Sequence, residues 1–395
     1  MRVLFVDDDL SVLGGLRRML RAHRDRFETV CASSGAEALA TMEAMTFDVI
    51  VTDIRMPVMD GGQLLEVVRE QHPDTVRIVL SGQLDDASAV RLAVLAHQFL
   101  SKPCEFDVLV DAIERSCGIR SRLVDPELRE ALGRLDALPS PRPTLRRLTD
   151  SLRRGDSSVD EVTELIHNDP AITAKLLQLV NSAFFGLPRQ VGDVRDAVVY
   201  LGLGMIRDLV AAADVFHAFE DDDRIDRAIY AQIRSDCVRA AEIAAQLSGQ
   251  EPDACVASVL HDVGLLALAV CLPDELARTV DTARRTRTPL HVVEADLFGT
   301  THADIGAYLL TLWGFRDEVV EAVAYHHSAP EHSNVAPLTH LPFVATTLAS
   351  RYDRADGRLS LELPVTLDPA YLARVNLASQ ADATRREISL AYSVT

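Results

Sequence analysis

Five short apolar segments, VLFV (3–6), TVCA (29–32), DVIVT (48–52), RIVLS (77–81) and HQFLS (97–101), punctuate the start of the chain. Stretches with helical spacing of apolar residues separate and follow them, over 10–24, 34–45, 61–71, 85–95 and 105–117. This alternation constrains the fold strongly. Five strand–helix units in a row imply parallel pairing, with right-handed crossovers that cover both faces of the sheet. Residues 1–118 are therefore expected to form a doubly wound α/β domain with a five-stranded parallel sheet. Functional groups should gather outside the C-terminal ends of its strands.

Beyond residue 118 the strand signal stops. Residues 119–137 read as a helical linker, ended by Pro139, Pro141 and Pro143. The stretches 159–180, 194–219, 226–248 and 253–271 repeat apolar residues at three- and four-residue steps, which predicts an all-α domain over 138–335. Residues 336–395 read as a C-terminal helical extension of that domain, with LSLELPVTLDP as a loop before a last helix.

The chain is 48% hydrophobic and 25% charged, the balance of a globular protein with ordinary cores. No run approaches eighteen uncharged apolar residues, and MRVLFVDDDL is not a signal peptide, so the expectation is a cytoplasmic protein without a membrane role. Six cysteines stand without a CxxC pair and read as free thiols. A net charge of −19 argues against a general nucleic-acid interface, and no basic recognition helix is evident.

At the ends of the predicted strands stand Asp7 and Asp8, Asp53 in VTDIRMPVMDG, Ser81, and Lys102 in SKP. Crowded carboxylates favour a hard divalent cation such as Mg²⁺. The cation and Lys102 would offset charge on a phosphoryl group arriving at Asp53. Any one of these residues alone reads as an ordinary strand-end polar group. Lys102 is one of only two lysines in 395 residues, so its arrival in this set is not easily dismissed.

With these motifs, residues 1–118 resemble the receiver domain of two-component response regulators, a flavodoxin-like fold. The resemblance implies Asp53 as phosphoacceptor from a histidine kinase or phosphotransfer protein. It implies Mg²⁺ on Asp7, Asp8, Asp53 and the backbone carbonyl of Arg55, with Ser81 and Lys102 as catalytic groups. Ser81 and Phe99 would act as the switch pair, and Pro103 matches a proline often in a cis bond.

The second half contains LIHNDPAITAKLLQLVNSAFFGLP (165–188), AVVYLGLGMIRDLV (197–210), HDVG and AYHH. Physically, Asp169-Pro170 starts a helix and the polar positions are caps or satisfied core groups. FEDDDRID (219–226) reads as a solvated acidic loop. Taken together, residues 138–335 resemble the HDOD domain, a relative of the HD phosphohydrolases that usually acts through protein contacts.

Catalytic HD proteins gather metal ligands from separate helices, and this sequence departs from that pattern. His261 and Asp262 match the central pair, and His302, His326 and His327 match later ligands. The early histidine falls at Ser235 or Asp236, the final aspartate at Thr346 or a neighbour, and Leu265 stands where many relatives carry lysine. Asp262, His302, His326 and His327 retain donors for a single ion. The expectation is nevertheless a degenerate site without metal, held as a hydrogen-bonded polar network.

The expected function is a response regulator phosphorylated on Asp53, with a non-catalytic HDOD output that binds an unknown downstream protein or forms a homodimer. The alternative is a phosphorylation-regulated, metal-dependent phosphohydrolase acting on a nucleotide or cyclic dinucleotide.

Overall fold

In the computed structural model the chain divides into two compact units. All residues are described except 24–25, 83–91, 93–94, 121–122, 124, 136–137, 182–189, 212–224, 250, 329–336, 356–366, 376 and 393–395. Most of the expected helix at 85–95, most of FEDDDRID and most of the predicted loop before the last helix lie outside the described residues.

The first unit contains Met1–Ala137. Its strands are β1 (Arg2–Val6), β2 (Glu28–Ala32), β3 (Val49–Asp53), β4 (Val76–Ser81) and β5 (Gln98–Ser101). All neighbours pair in parallel, in the order β2-β1-β3-β4-β5. That is the flavodoxin-like order, whose reversal falls between β1 and β3. The strands are nearly continuous apolar runs because both faces are covered: Leu4, Val6, Ile50 and Val79 join Leu64, Leu65 and Val68 of α3 (Gly61–Gln71) in one core. The helices α1 (Leu10–Met19), α2 (Gly35–Ala44) and α4 (Phe106–Arg120) complete the described layers.

The residues expected as a linker include α5 (Pro126–Gly133), whose end lies against Pro73 and Asp74, just before β4. A Cβ at Gly133 would stand 2.0 Å from the Pro73 carbonyl oxygen. The buried Arg77 donates from Nε to the Leu95 carbonyl (2.6 Å) and from Nη2 to the Gly133 carbonyl (3.1 Å). Arg129 also pairs with Asp74 at 3.4 Å. This segment is docked.

The second unit, Leu138–Leu177, Val191–Leu310 and Phe315–Thr395, is helical. It begins with α6 (Arg142–Arg154), α7 (Val159–His167), α8 (Pro170–Val180) and α9 (Val194–Ala211). The predicted stretch 159–180 is two helices, because Asp169 caps α8 by accepting from the backbone N–H of Ala171 and Ile172. Then follow α10 (Arg227–Ser248), α11 (Pro252–Val259), α12 (Val263–Cys271), α13 (Pro273–Thr286), α14 (Leu290–Phe298), α15 (His302–Leu312) and α16 (Asp317–Ala324). The C-terminal helices α17 (Pro337–Ala355), α18 (Pro369–Arg374) and α19 (Ala378–Tyr392) close a core with α10 through Ile243, Leu247, Val344, Leu348 and Tyr371.

The sequence 253–271 was expected as one helical run. It breaks at Leu260–Asp262, where α11 ends and α12 begins. By composition Pro252–Cys271 is long and apolar enough to cross a membrane, at a mean hydropathy of 2.0, but 89% of that stretch is buried inside the protein.

Candidate functional site

The sheet brings together the first set of polar residues. Asp53 is the last residue of β3 and Asp7 follows β1, so the strand order places both at the edge where ligands bind in open α/β sheets. Carboxylate oxygens of Asp7, Asp8 and Asp53 lie within 4.8 Å of one another. The three consecutive aspartates have separate environments. Asp7 is buried, Asp8 is exposed, and Asp9 caps α1 by accepting from the Ser11 N–H at 2.7 Å.

Lys102 Nζ reaches Asp7 Oδ2 at 2.7 Å and Asp53 Oδ1 at 3.0 Å. Burial works against its ammonium, but hydrogen bonds and charges from Asp7 and Asp53 outweigh burial and hold its pKa above the ordinary lysine value. The Lys102–Pro103 peptide is cis. Close packing shapes the other side: a Cβ at Gly61 would stand 2.2 Å from the Asp53 carbonyl oxygen, so α3 can start there only with glycine. Arg55 lies two residues beyond Asp53 in the following loop, and Phe99 is buried on β5. Ser81 ends β4 and pairs with Ser101, while its side chain lies outside the described atoms. Three carboxylates and a carbonyl-bearing loop are hard oxygen donors of the kind Mg²⁺ takes.

The second set lies in the helical unit. In a continuous helix, neighbouring residues point about 100° apart. The break at 260–262 lets His261 and Asp262 face one cluster. His261 Nε2 stands 3.1 Å from Asp262 Oδ2, and His302 and His326 Nε2 stand 3.3 and 3.4 Å from Asp262 Oδ1. His302 and His327 approach through their Nε2 atoms at 2.6 Å. Donor atoms of Asp262, His302, His326 and His327 all fall within 4.8 Å of one another.

The outer ring nitrogens are already engaged. His261 Nδ1 meets the Ser258 carbonyl at 2.7 Å, His326 Nδ1 the Val323 carbonyl at 2.6 Å, and His302 Nδ1 the Glu294 carboxylate at 2.6 Å. Metal-ligating histidines are held in this way, with the outer nitrogen donating to a carbonyl or carboxylate. Burial alone would raise the Asp262 carboxyl, yet His261, His302 and His326 hold it well below its ordinary value. For His302 burial disfavours the charge, but Glu294 and Asp262 prevail and raise its pKa well above the ordinary value. Burial beside His326, His302 and His291 pushes His327 well down.

Three residues of this cluster escaped the sequence reading. Glu294 is fully buried and accepts from both the backbone and ring of His302. His291 stacks on His327 at 4.3 Å between ring centroids. Cys237 lies with His261 and Asp262 in a second donor group. Glu294 carried a readable signal, since it shares the apolar i, i+3, i+4 positions of α14 with Leu290 and Val293.

The positions expected to lack metal ligands are placed as follows. Asp236 accepts from Gln232 Nε2 at 2.8 Å. The Thr346 hydroxyl faces the carbonyls of Phe343 and His326 at 3.2 and 3.5 Å. Ser235 is half-buried on α10, and Leu265 is core.

Comparison with known proteins gives two family matches, a response regulator receiver domain over residues 3–114 and an HDOD domain over 138–329. An uncharacterized protein of Treponema pallidum (strain Nichols) is 26% identical over 222 residues, covering 54% of this chain and 41% of that protein. The transcriptional regulatory protein GlrR of Escherichia coli (strain K12) is 34% identical over 133 residues, covering 33% of this chain and 29% of its own length. The chain thus spans less than half the length of these curated relatives. Among solved structures, the MmoQ response regulator of Methylococcus capsulatus str. Bath is 22% identical over 63% of this chain and 97% of its own, with a TM-score of 0.49. An HDOD domain protein of unknown function from Geobacter sulfurreducens is also 22% identical, over 69% and 98%, with a TM-score of 0.37.

Proposed function

From a chain that joins a receiver domain to an HDOD domain, a pairing that fits a response regulator, we propose a phosphorylation-controlled signalling protein whose phosphoacceptor is Asp53. The observation that carries this reading is the placement of Lys102 between Asp7 and Asp53, at 2.7 and 3.0 Å. A receiver domain implies a histidine kinase or phosphotransfer partner. An Asp53 oxygen attacks phosphorus of the donor's phosphohistidine, the P–O bond forms as the P–N bond breaks, and the imidazole leaves. The Asp7, Asp8 and Asp53 carboxylates and the Arg55 carbonyl would hold Mg²⁺, which shields charge on the phosphoryl group. Lys102 then follows the new negative charge, and Ser81 and Phe99 form the switch.

The helical half serves as a non-catalytic output that contacts a downstream protein or a second copy of the chain, in the cytoplasm. Two observations favour this over hydrolysis. Asp236 and Thr346, where further ligands belong in a hydrolase, are engaged elsewhere, and Asp262, His302 and His326 are buried. A pull-down comparing wild type with Asp53→Asn tests the reading: partner capture should depend on Asp53 and acetyl phosphate. Turnover of a cyclic dinucleotide that is lost in His261→Ala would overturn the non-catalytic assignment.

A further inference from the structure

The polar atoms around Asp262 do not match one another as hydrogen-bonding groups. A carbonyl only accepts, so the Nδ1 atoms of His261 and His326 must each carry the hydrogen that meets Ser258 and Val323. Their Nε2 atoms, when neutral, present lone pairs to the Asp262 oxygens, which are acceptors too. Asp262 Oδ1 and His326 Nε2 are both buried and lack a well-formed hydrogen bond, although they stand 3.4 Å apart. A divalent cation resolves the mismatch, because it takes lone pairs from all sides.

Asp262 divides the surrounding donors. Oδ1 faces His302 and His326, while Oδ2 faces His261. Cys237 is fully buried on α10, and its sulfur, the His261 ring and the Asp262 carboxylate offer donor atoms within 4.8 Å of one another. The backbone N–H of Asp262 is directed at this sulfur. Cys237 lies one and two residues beyond Asp236 and Ser235, the positions that match the early ligand of catalytic HD proteins.

We propose that Cys237 is a metal ligand, forming with His261 and the Asp262 carboxylate a sulfur-bearing seat for a zinc-class divalent ion beside the nitrogen-rich group of His302, His326 and His327. A thiolate donor favours zinc over magnesium, calcium or manganese. On binding, the Cys237 sulfur exchanges its proton for the metal, and that proton leaves to the buffer. The ion would tie α10 to the turn between α11 and α12, a fastening role for a buried centre. This goes beyond the proposed function, because it requires neither phosphorylation nor an output partner, and it reverses the expectation of a metal-free helical half.

The test uses the full chain, stripped with a chelator and reloaded with Co²⁺ or Zn²⁺. Co²⁺ should give a thiolate-to-metal charge-transfer band that Cys237→Ser abolishes and Cys255→Ser preserves, with zinc affinity falling at least about tenfold in Cys237→Ser. Should Cys237→Ser not fold, zinc-edge X-ray absorption of the wild type gives the answer, with a sulfur scatterer expected at about 2.3 Å. No bound metal, metal with nitrogen and oxygen neighbours only, or a thiolate band that survives Cys237→Ser would each overturn the assignment.

Discussion

Gly264 lies against His302 so closely that a Cβ at 264 would stand 2.0 Å from the His302 carbonyl oxygen. The helices α12 and α15 meet at this point, where Gly264 also approaches the backbone of Gly306. Asp262 heads one helix and His302 the other, so the contact fixes the 3.3 Å separation of their side chains. The glycine of HDVG is thus a packing requirement of the cluster.

Gly264→Ala should lower stability by about 1–3 kcal/mol, as overpacking does, because backbone atoms cannot swing aside. Gly15→Ala, in the middle of α1 with open space around it, should instead gain about 0.5–1 kcal/mol. Urea unfolding of both variants checks the pair. Equal effects would mean that the α12–α15 approach is looser than described.

Lys102→Met removes the cation between Asp7 and Asp53 and leaves their carboxylates to repel. The side chain of Lys102 is 29% exposed, so solvent screens part of the effect and a loss of about 1–2 kcal/mol is expected without divalent ions. Adding Mg²⁺ should restore more stability to Lys102→Met than to wild type, in thermal unfolding with and without EDTA. An identical Mg²⁺ effect on both proteins would contradict a shared acidic pocket.

Asp169 gives a pH dependence with an unusual sign. Its carboxyl is fully buried, and burial raises its pKa above the ordinary 3.8 despite Arg234 at 3.2 Å. A raised folded-state pKa gives stability that is present below about 3.8 and lost as pH rises through the folded value. The stability of wild type relative to Asp169→Asn should therefore decline from acid toward neutral pH. A relative stability that rises over that interval would show that Arg234 outweighs burial.

Much of this was readable in the sequence, for reasons that differ by residue. The strands were legible because a doubly covered parallel sheet needs unbroken apolar runs, and Asp7, Asp53 and Lys102 stood at their ends. Cys237 was not legible: it shares a helical face with Ile233, Ala240, Ala241 and Ala244, where a thiol reads as a small hydrophobe. The break at 260–262 was also hidden, since neither glycine nor proline marks it. Nor could composition show that Arg77, in the middle of an apolar strand, donates to the Leu95 and Gly133 carbonyls.

The docked α5 gives a fourth expectation. Arg77→Leu removes the donor to Gly133, and Gly133→Ala forces a methyl onto the Pro73 carbonyl. Each should raise amide hydrogen exchange across 126–133 while β1 and β3 stay protected. Unchanged exchange in both variants would show that α5 does not depend on these contacts.

The most direct measurement of the central claim is phosphorylation itself. Incubated with acetyl phosphate and Mg²⁺, the intact chain should gain one phosphoryl group, found on Asp53 by mass spectrometry, and Asp53→Asn should gain none. Labelling of Asp53→Asn at the wild-type level would contradict the account.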